Sequence, residues 1–150
     1  PKSVHGVLVE GLDNCLIKFS RCCTPVPGDP IVGFITRGLG VSIHRSDCLN
    51  YKRDEDRGRW IEVSWAPQTN ELYTAEIRLL SDERSGFVMD IATILNSLNA
   101  KVRTLNARDT GHGTSTATVI LDVKDLEELQ TIIGKLQTIR DLREITRSGS

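Results

Sequence analysis

Cys22, Cys23, His44 and Cys48 place three thiols and one imidazole within residues 22–48. Thiolate and imidazole donors at about 2.0–2.3 Å from one ion are the ligands of tetrahedral Zn²⁺. His44 and Cys48 are four residues apart, so the "RSDCLN" stretch, read as a single helical turn capped by Ser46 or Asp47, would set both on one face. The adjacent pair is less regular. Zinc knuckles space their cysteines by two to four residues, whereas neighbouring side chains tend to diverge. Either an unusual backbone gathers both thiols, or only one ligates and Cys15 or His5 completes the shell. Other chemistries stay open at this point: a reversible vicinal disulfide, disfavoured in a reducing compartment; a cysteine nucleophile paired with His44; or buried packing thiols beside a singly hydrogen-bonded imidazole.

The chain has 150 residues, a formal charge of −1 and 39% hydrophobic residues, so it affords one ordinary domain or two small ones with real cores. Its mixed charges give no sign of a stand-alone nucleic-acid binder. No apolar run approaches the roughly 20 residues a membrane helix needs, and no cleavable signal pattern opens the chain. Four clustered cysteines do not make a disulfide scaffold. These features predict a soluble, cytoplasmic protein.

Two grammars divide the sequence. Residues 1–66 read as short strands between glycine and proline punctuation: "VHGVLVEG", "IVGFI", "VSIH" and "RWIEVSW", the last with Ile61, Val63 and Trp65 on one face. So small a β-rich module needs a staple. Residues 67–72, with Pro67, form the expected linker. Over residues 73–147 the pattern becomes β-α-β-β-α-β. The first helix carries Phe87, Ile91, Leu95 and Leu98. The second opens at Asp125 with Glu128 three residues on, and shows a stripe of Leu126, Leu129, Ile133 and Leu136. The fold class is therefore α+β: a Cys/His module followed by a ferredoxin-like domain with both helices on one sheet face. Residues 148–150, "SGS", read as a tag remnant.

The stretch "VEGLDNCLIKFSRCCTPVPGDPIVGFITRGLGVSIHRSDCLN" closely resembles the C-terminal regulatory region of the long RelA/SpoT-type (p)ppGpp synthetase/hydrolases, and the following module resembles that family's ACT domain. The resemblance implies a non-catalytic fragment of a bacterial stringent-response enzyme, a GTP pyrophosphokinase and (p)ppGpp 3'-pyrophosphohydrolase. Its catalytic domains would lie N-terminal to this region and be controlled by it. By position, Cys22, Cys23, His44 and Cys48 match the family's zinc-finger or ribosome-intersubunit pattern. The implied partners are the ribosome with A-site tRNA, the parent's catalytic domains and, by edge-to-edge sheet pairing, a second copy.

The wider ACT class binds small ligands, often amino acids, beside the loop before the first helix, here "SDERSGF". Asp82, Ser85, Gly86 and Phe87 are the candidates, with free helix amides facing a carboxylate and Asp82 or Glu83 facing an ammonium. This gives the alternative function, an amino-acid sensor for a branched-chain ligand. The loop has Ser85-Gly86 where amino-acid-binding relatives commonly carry Pro-Gly, and a capped helix start with solvated charges explains it equally well. For rRNA phosphate the candidates are Arg21, Arg37 and Arg45, with the "YKRDEDRGRW" segment and Trp60 available for stacking. Asp54, Glu55 and Asp56 interrupt that segment, as in an ordinary solvated loop.

Overall fold

β-branched and aromatic residues at every second position dictate most of the strands. A computed structural model describes residues 3–4, 6–9, 16–38, 40–51, 58–67 and 70–149. Six strands make the first sheet: β1 (Ser3–Val4), β2 (Val7–Val9), β3 (Leu16–Phe19), β4 (Ile31–Ile35), β5 (Gly40–Arg45) and β6 (Trp60–Trp65). Their order across the sheet is β1-β2-β6-β4-β5-β3. All neighbours run antiparallel except β3, which pairs in parallel with β5, Phe19 opposite Ile43. That strand was not expected from sequence, because Leu16–Phe19 is too short to show a period.

The inner face of this sheet buries Val7, Val9, Val41 and Ile43, with Ile17, Phe19, Ile31, Ile61, Val63 and Trp65 against them. Gly33 sits in the centre. A Cβ there would lie 2.8 Å from both Val41 and Val63, so only glycine lets those two valines close over β4.

The second sheet comprises β7 (Tyr73–Asp82), β8 (Lys101–Asp109), β9 (Thr114–Val123) and β10 (Leu142–Arg147), ordered β10-β7-β9-β8 and antiparallel throughout. Helices α1 (Phe87–Ser97) and α2 (Leu126–Leu136) connect it in the expected β-α-β-β-α-β order. Phe87, Ile91 and Leu95 from α1 meet Ala117, Val119, Leu121 and Val123 from β9 in one core. Asp125 caps α2 by accepting from the Glu128 amide at 2.9 Å, while the Glu128 carboxylate accepts from the Lys124 amide at 2.8 Å. The buried stripe of α2 runs through Leu129, Ile132 and Leu136. Ile133, expected there, is only partly covered, because the helix is rotated toward Ile132.

The two modules share a core. Phe19 stacks on Trp65 at 5.8 Å, and Tyr73 of β7 meets both rings edge-on at 5.5 Å. Val26 of the first module is fully buried in the core of the second. The Leu126 amide donates to Pro27 O at 2.7 Å. Residues 148–149 do not trail away: Ser148 is buried, and Gly149 packs against Cys22 and Cys23.

Candidate metal centre

Cys22 and Cys23 lie in a tight turn closed by the Thr24 amide donating to Ser20 O at 3.0 Å, with Thr24 at φ +41°. That turn points both neighbouring thiols to the same side. His44 is on β5, facing away from the buried Val41 and Ile43. Cys48 follows in a pair of tight turns, its amide donating to Arg45 O at 3.0 Å and its carbonyl accepting from Tyr51 N at 3.0 Å. The expected helical turn over 45–50 is thus replaced by two three-residue closures, which bring Cys48 back under His44.

The four donor atoms all lie within 4.8 Å of one another. Cys22 Sγ is 3.4 Å from His44 Nδ1 and 3.6 Å from Cys48 Sγ, and Cys23 Sγ is 3.9 Å from His44 Nδ1. A tetrahedron with zinc–sulfur bonds of about 2.3 Å has edges of roughly 3.5–3.8 Å. These three separations lie within about 0.1 Å of that range, and the remaining edges are no longer than 4.8 Å, so the quartet could hold a tetrahedral ion after a modest contraction. Both adjacent cysteines belong to the group of four. Cys15 and His5, considered as completing ligands, lie outside the described residues.

Two backbone amides point at the sulfurs. Arg45 N donates to Cys23 Sγ at 3.3 Å and Asn50 N to Cys48 Sγ at 3.4 Å. Burial nevertheless pushes the Cys23 and Cys48 thiols up, and burial lowers the His44 imidazole. A nucleophilic cysteine needs the opposite, a stabilised thiolate beside an imidazolium. These shifts run against a cysteine nucleophile at Cys23 or Cys48.

Around the cluster runs a groove of about 680 Å³ lined by Leu16, Lys18, Arg21, Thr36, Ser42 and His44, among others. Lys18, Arg21 and Arg37 are exposed there or at its rim. Beside it Trp60 packs edge-on against Phe34, His44 and Tyr51, and Arg59 lies 4.7 Å above the Phe34 ring. The charged run 52–57 lies outside the described residues.

Arg45 corrects the sequence reading. It is 2% exposed and its guanidinium donates to Ser148 O at 2.8 Å, so it cannot face phosphate. The signal was available: Arg45 shares the parity of Val41 and Ile43, so the same alternation that buries them turns it inward.

The 81–87 loop also differs from expectation. Phe87 is 3% exposed and belongs to the core rather than to the loop surface. Asp82 pairs with Arg143. Arg84, unnoticed in the sequence, lies across the loop, where it bonds the Asp90 carboxylate, Arg140 O and Ser85 O. Its Nη1 is 3.4 Å from where a Gly86 Cβ would be. The space beside Gly86 that would receive a ligand therefore holds the chain's own guanidinium.

Comparison with known proteins places both modules. The family model of the RelA/SpoT RIS domain matches residues 7–66, and that of the ACT domain matches residues 69–147. The GTP pyrophosphokinase of Escherichia coli K12 is 35% identical over 144 residues, which covers 94% of this chain and 19% of that protein. The GTP pyrophosphokinase of Streptomyces coelicolor is 32% identical over 146 residues, covering 97% and 17%. The Myxococcus xanthus GTP pyrophosphokinase is 36% identical over 143 residues, covering 93% and 19%. The chain thus spans less than a fifth of the length of these relatives. The crystal structure of the ACT domain from GTP pyrophosphokinase of Chlorobium tepidum superposes with a TM-score of 0.47 at 21% identity, over 51% of this chain and 99% of that one. Among the described residues no helix is long and apolar enough to cross a membrane.

Proposed function

This chain belongs to the ACT domain family and carries a RelA/SpoT RIS domain ahead of its ACT domain, and from that premise we propose that it is the regulatory end of a (p)ppGpp synthetase/hydrolase that docks on ribosomal RNA. The observation that carries this reading is the groove beside the thiol cluster. Exposed Lys18, Arg21 and Arg37 lie at or near the groove, and beside it sits a half-buried cluster of Trp60, Phe34 and Tyr51. Cations neutralise phosphates and aromatic faces stack bases, so this pairing suits RNA better than a protein surface. Zn²⁺ held by Cys22, Cys23, His44 and Cys48 fixes the turns that build one wall of the groove.

No residue here performs bond chemistry in this scheme. Engagement of the ribosome with A-site tRNA stabilises one arrangement of the parent chain and shifts its catalytic domains between synthesis and hydrolysis, an effect set by differential binding to the two arrangements. A second copy would pair along the open edge of β8, which bonds only β9 in the second sheet. An amino-acid ligand at the 81–87 loop is the less favoured alternative, since Arg84 would have to leave first.

Ribosome co-sedimentation at increasing salt tests the docking. Binding that falls steeply with salt, and is lost in Lys18→Glu with Arg21→Glu, supports it; no binding at low salt by a folded chain rejects it.

A further inference from the structure

Ser148 and Gly149 directly follow β10, the strand that closes the ACT sheet, yet they are held by all three segments that carry the thiols and imidazole. On the first segment, Gly149 at φ +82° lies so close that a Cβ would sit 2.5 Å from Cys22 O and 2.9 Å from Cys23 Cβ. Thr24 Oγ1 also lies 3.5 Å from Ser148 Oγ. On the second, Arg45 uses its amide for Cys23 Sγ at 3.3 Å and its guanidinium for Ser148 O at 2.8 Å. On the third, Leu49 N donates to Gly149 O at 3.1 Å, between Cys48 and the Asn50 amide that donates to Cys48 Sγ.

We propose that ion binding by the Cys22/Cys23/His44/Cys48 cluster and seating of the Ser148–Gly149 peptide are coupled, so that the metal state of the RIS domain controls how firmly strand β10 closes the ACT sheet. The inference rests on the metal reading above and adds a linkage to it. Converting thiols to metal-held thiolates strengthens the hydrogen bonds from Arg45 N and Asn50 N, since amides bond anionic sulfur more strongly. The same two turns then hold Arg45 and Leu49 in the positions from which they grip Ser148 and Gly149. Linkage is reciprocal: a tail that seats well must raise ion affinity as much as the ion firms the tail. The free edge uncovered by release belongs to β7, which pairs with β10 through Leu142–Arg147.

The test measures zinc affinity by competition with a chromophoric chelator, together with hydrogen exchange of β10, in four chains. These are the wild type, Gly149→Val, a chain ending at Arg147, and Gly111→Val. The last has the same left-handed backbone, φ +85°, in an exposed turn with nothing near its missing Cβ, and so reports strain alone. Outer-shell losses typically cost roughly 10- to 100-fold in metal affinity. The expected result is a drop of about tenfold or more in Gly149→Val and in the shortened chain, none in Gly111→Val, and faster β10 exchange in the wild type once chelator strips it. Zinc uptake with affinity unchanged in both tail variants overturns the coupling and leaves the metal reading standing. No zinc uptake by the wild type overturns both.

Discussion

Arg147 grips Asp29 with both arms of its guanidinium, at 2.7 and 2.9 Å, across 118 residues of chain. The pair is nearly enclosed, and each partner makes a further bond: Asp29 accepts from Val26 N at 2.8 Å, and Arg147 donates to Thr24 O at 2.9 Å. It ties the last ACT strand to the Pro-Val-Pro-Gly-Asp turn of the RIS domain. Removing one partner of such a pair leaves the other buried without compensation, which costs on the order of 3 kcal/mol or more. Arg147→Ala is therefore expected to lower the unfolding free energy by that amount, measured by urea unfolding. A change below about 0.5 kcal/mol would show that the modules do not depend on this clamp.

Elemental analysis of the purified chain is expected to find one zinc per molecule, and none in Cys48→Ser. The first sheet has a small core of its own, so loss of the ion should reduce the melting temperature by on the order of 10 °C. The far larger ACT core predicts that secondary structure over β7–β10 persists. An unchanged melting temperature after chelation would count against a structural ion.

Stability of the metal-free chain should depend on pH in a stated direction. Burial raises the Cys23 and Cys48 thiols above the ordinary 9.0, so the fold favours their protonated forms. That contribution is present below pH 9.0 and is lost as pH rises beyond it. Burial lowers His44 below 6.5, so its contribution is present above that value and fades as pH falls. Chelator-treated protein is thus expected to unfold more easily at about pH 10 than at neutrality, by urea titration. Zinc-loaded protein, whose thiols are already deprotonated, should lack the alkaline loss and instead release metal in acid.

Two arginines of one short stretch should separate cleanly. Arg37 is exposed and Arg45 is 2% exposed. Arg37→Ala is expected to weaken ribosome co-sedimentation several-fold with its melting temperature within about 2 °C of wild type. Arg45→Ala should lower stability by about 3 kcal/mol, because Ser148 O and Asp47 lose their partner. Equal melting temperatures for the two variants would contradict the inward placement of Arg45.

Alternation and helical spacing alone determined the ACT half. Ala117, Val119, Leu121 and Val123 face the core as their period requires, and Asp125 with Glu128 starts α2 as the capping pattern requires. Such signals are local, since each residue's face follows from its neighbours' positions along one strand or turn. The residue types likewise announced the thiol–imidazole quartet. Tertiary structure alone decided the rest. The turn at Ser20–Thr24 lets adjacent cysteines converge, the short β3 finds a parallel partner in β5, Arg84 fills its own loop, and Gly149 slots behind Cys22. The turn is local but has no period to announce it, whereas the pairing of β3 with β5, the reach of Arg84 to Arg140 and the seat of Gly149 join segments tens to more than a hundred residues apart, an approach that spacing along the chain does not record.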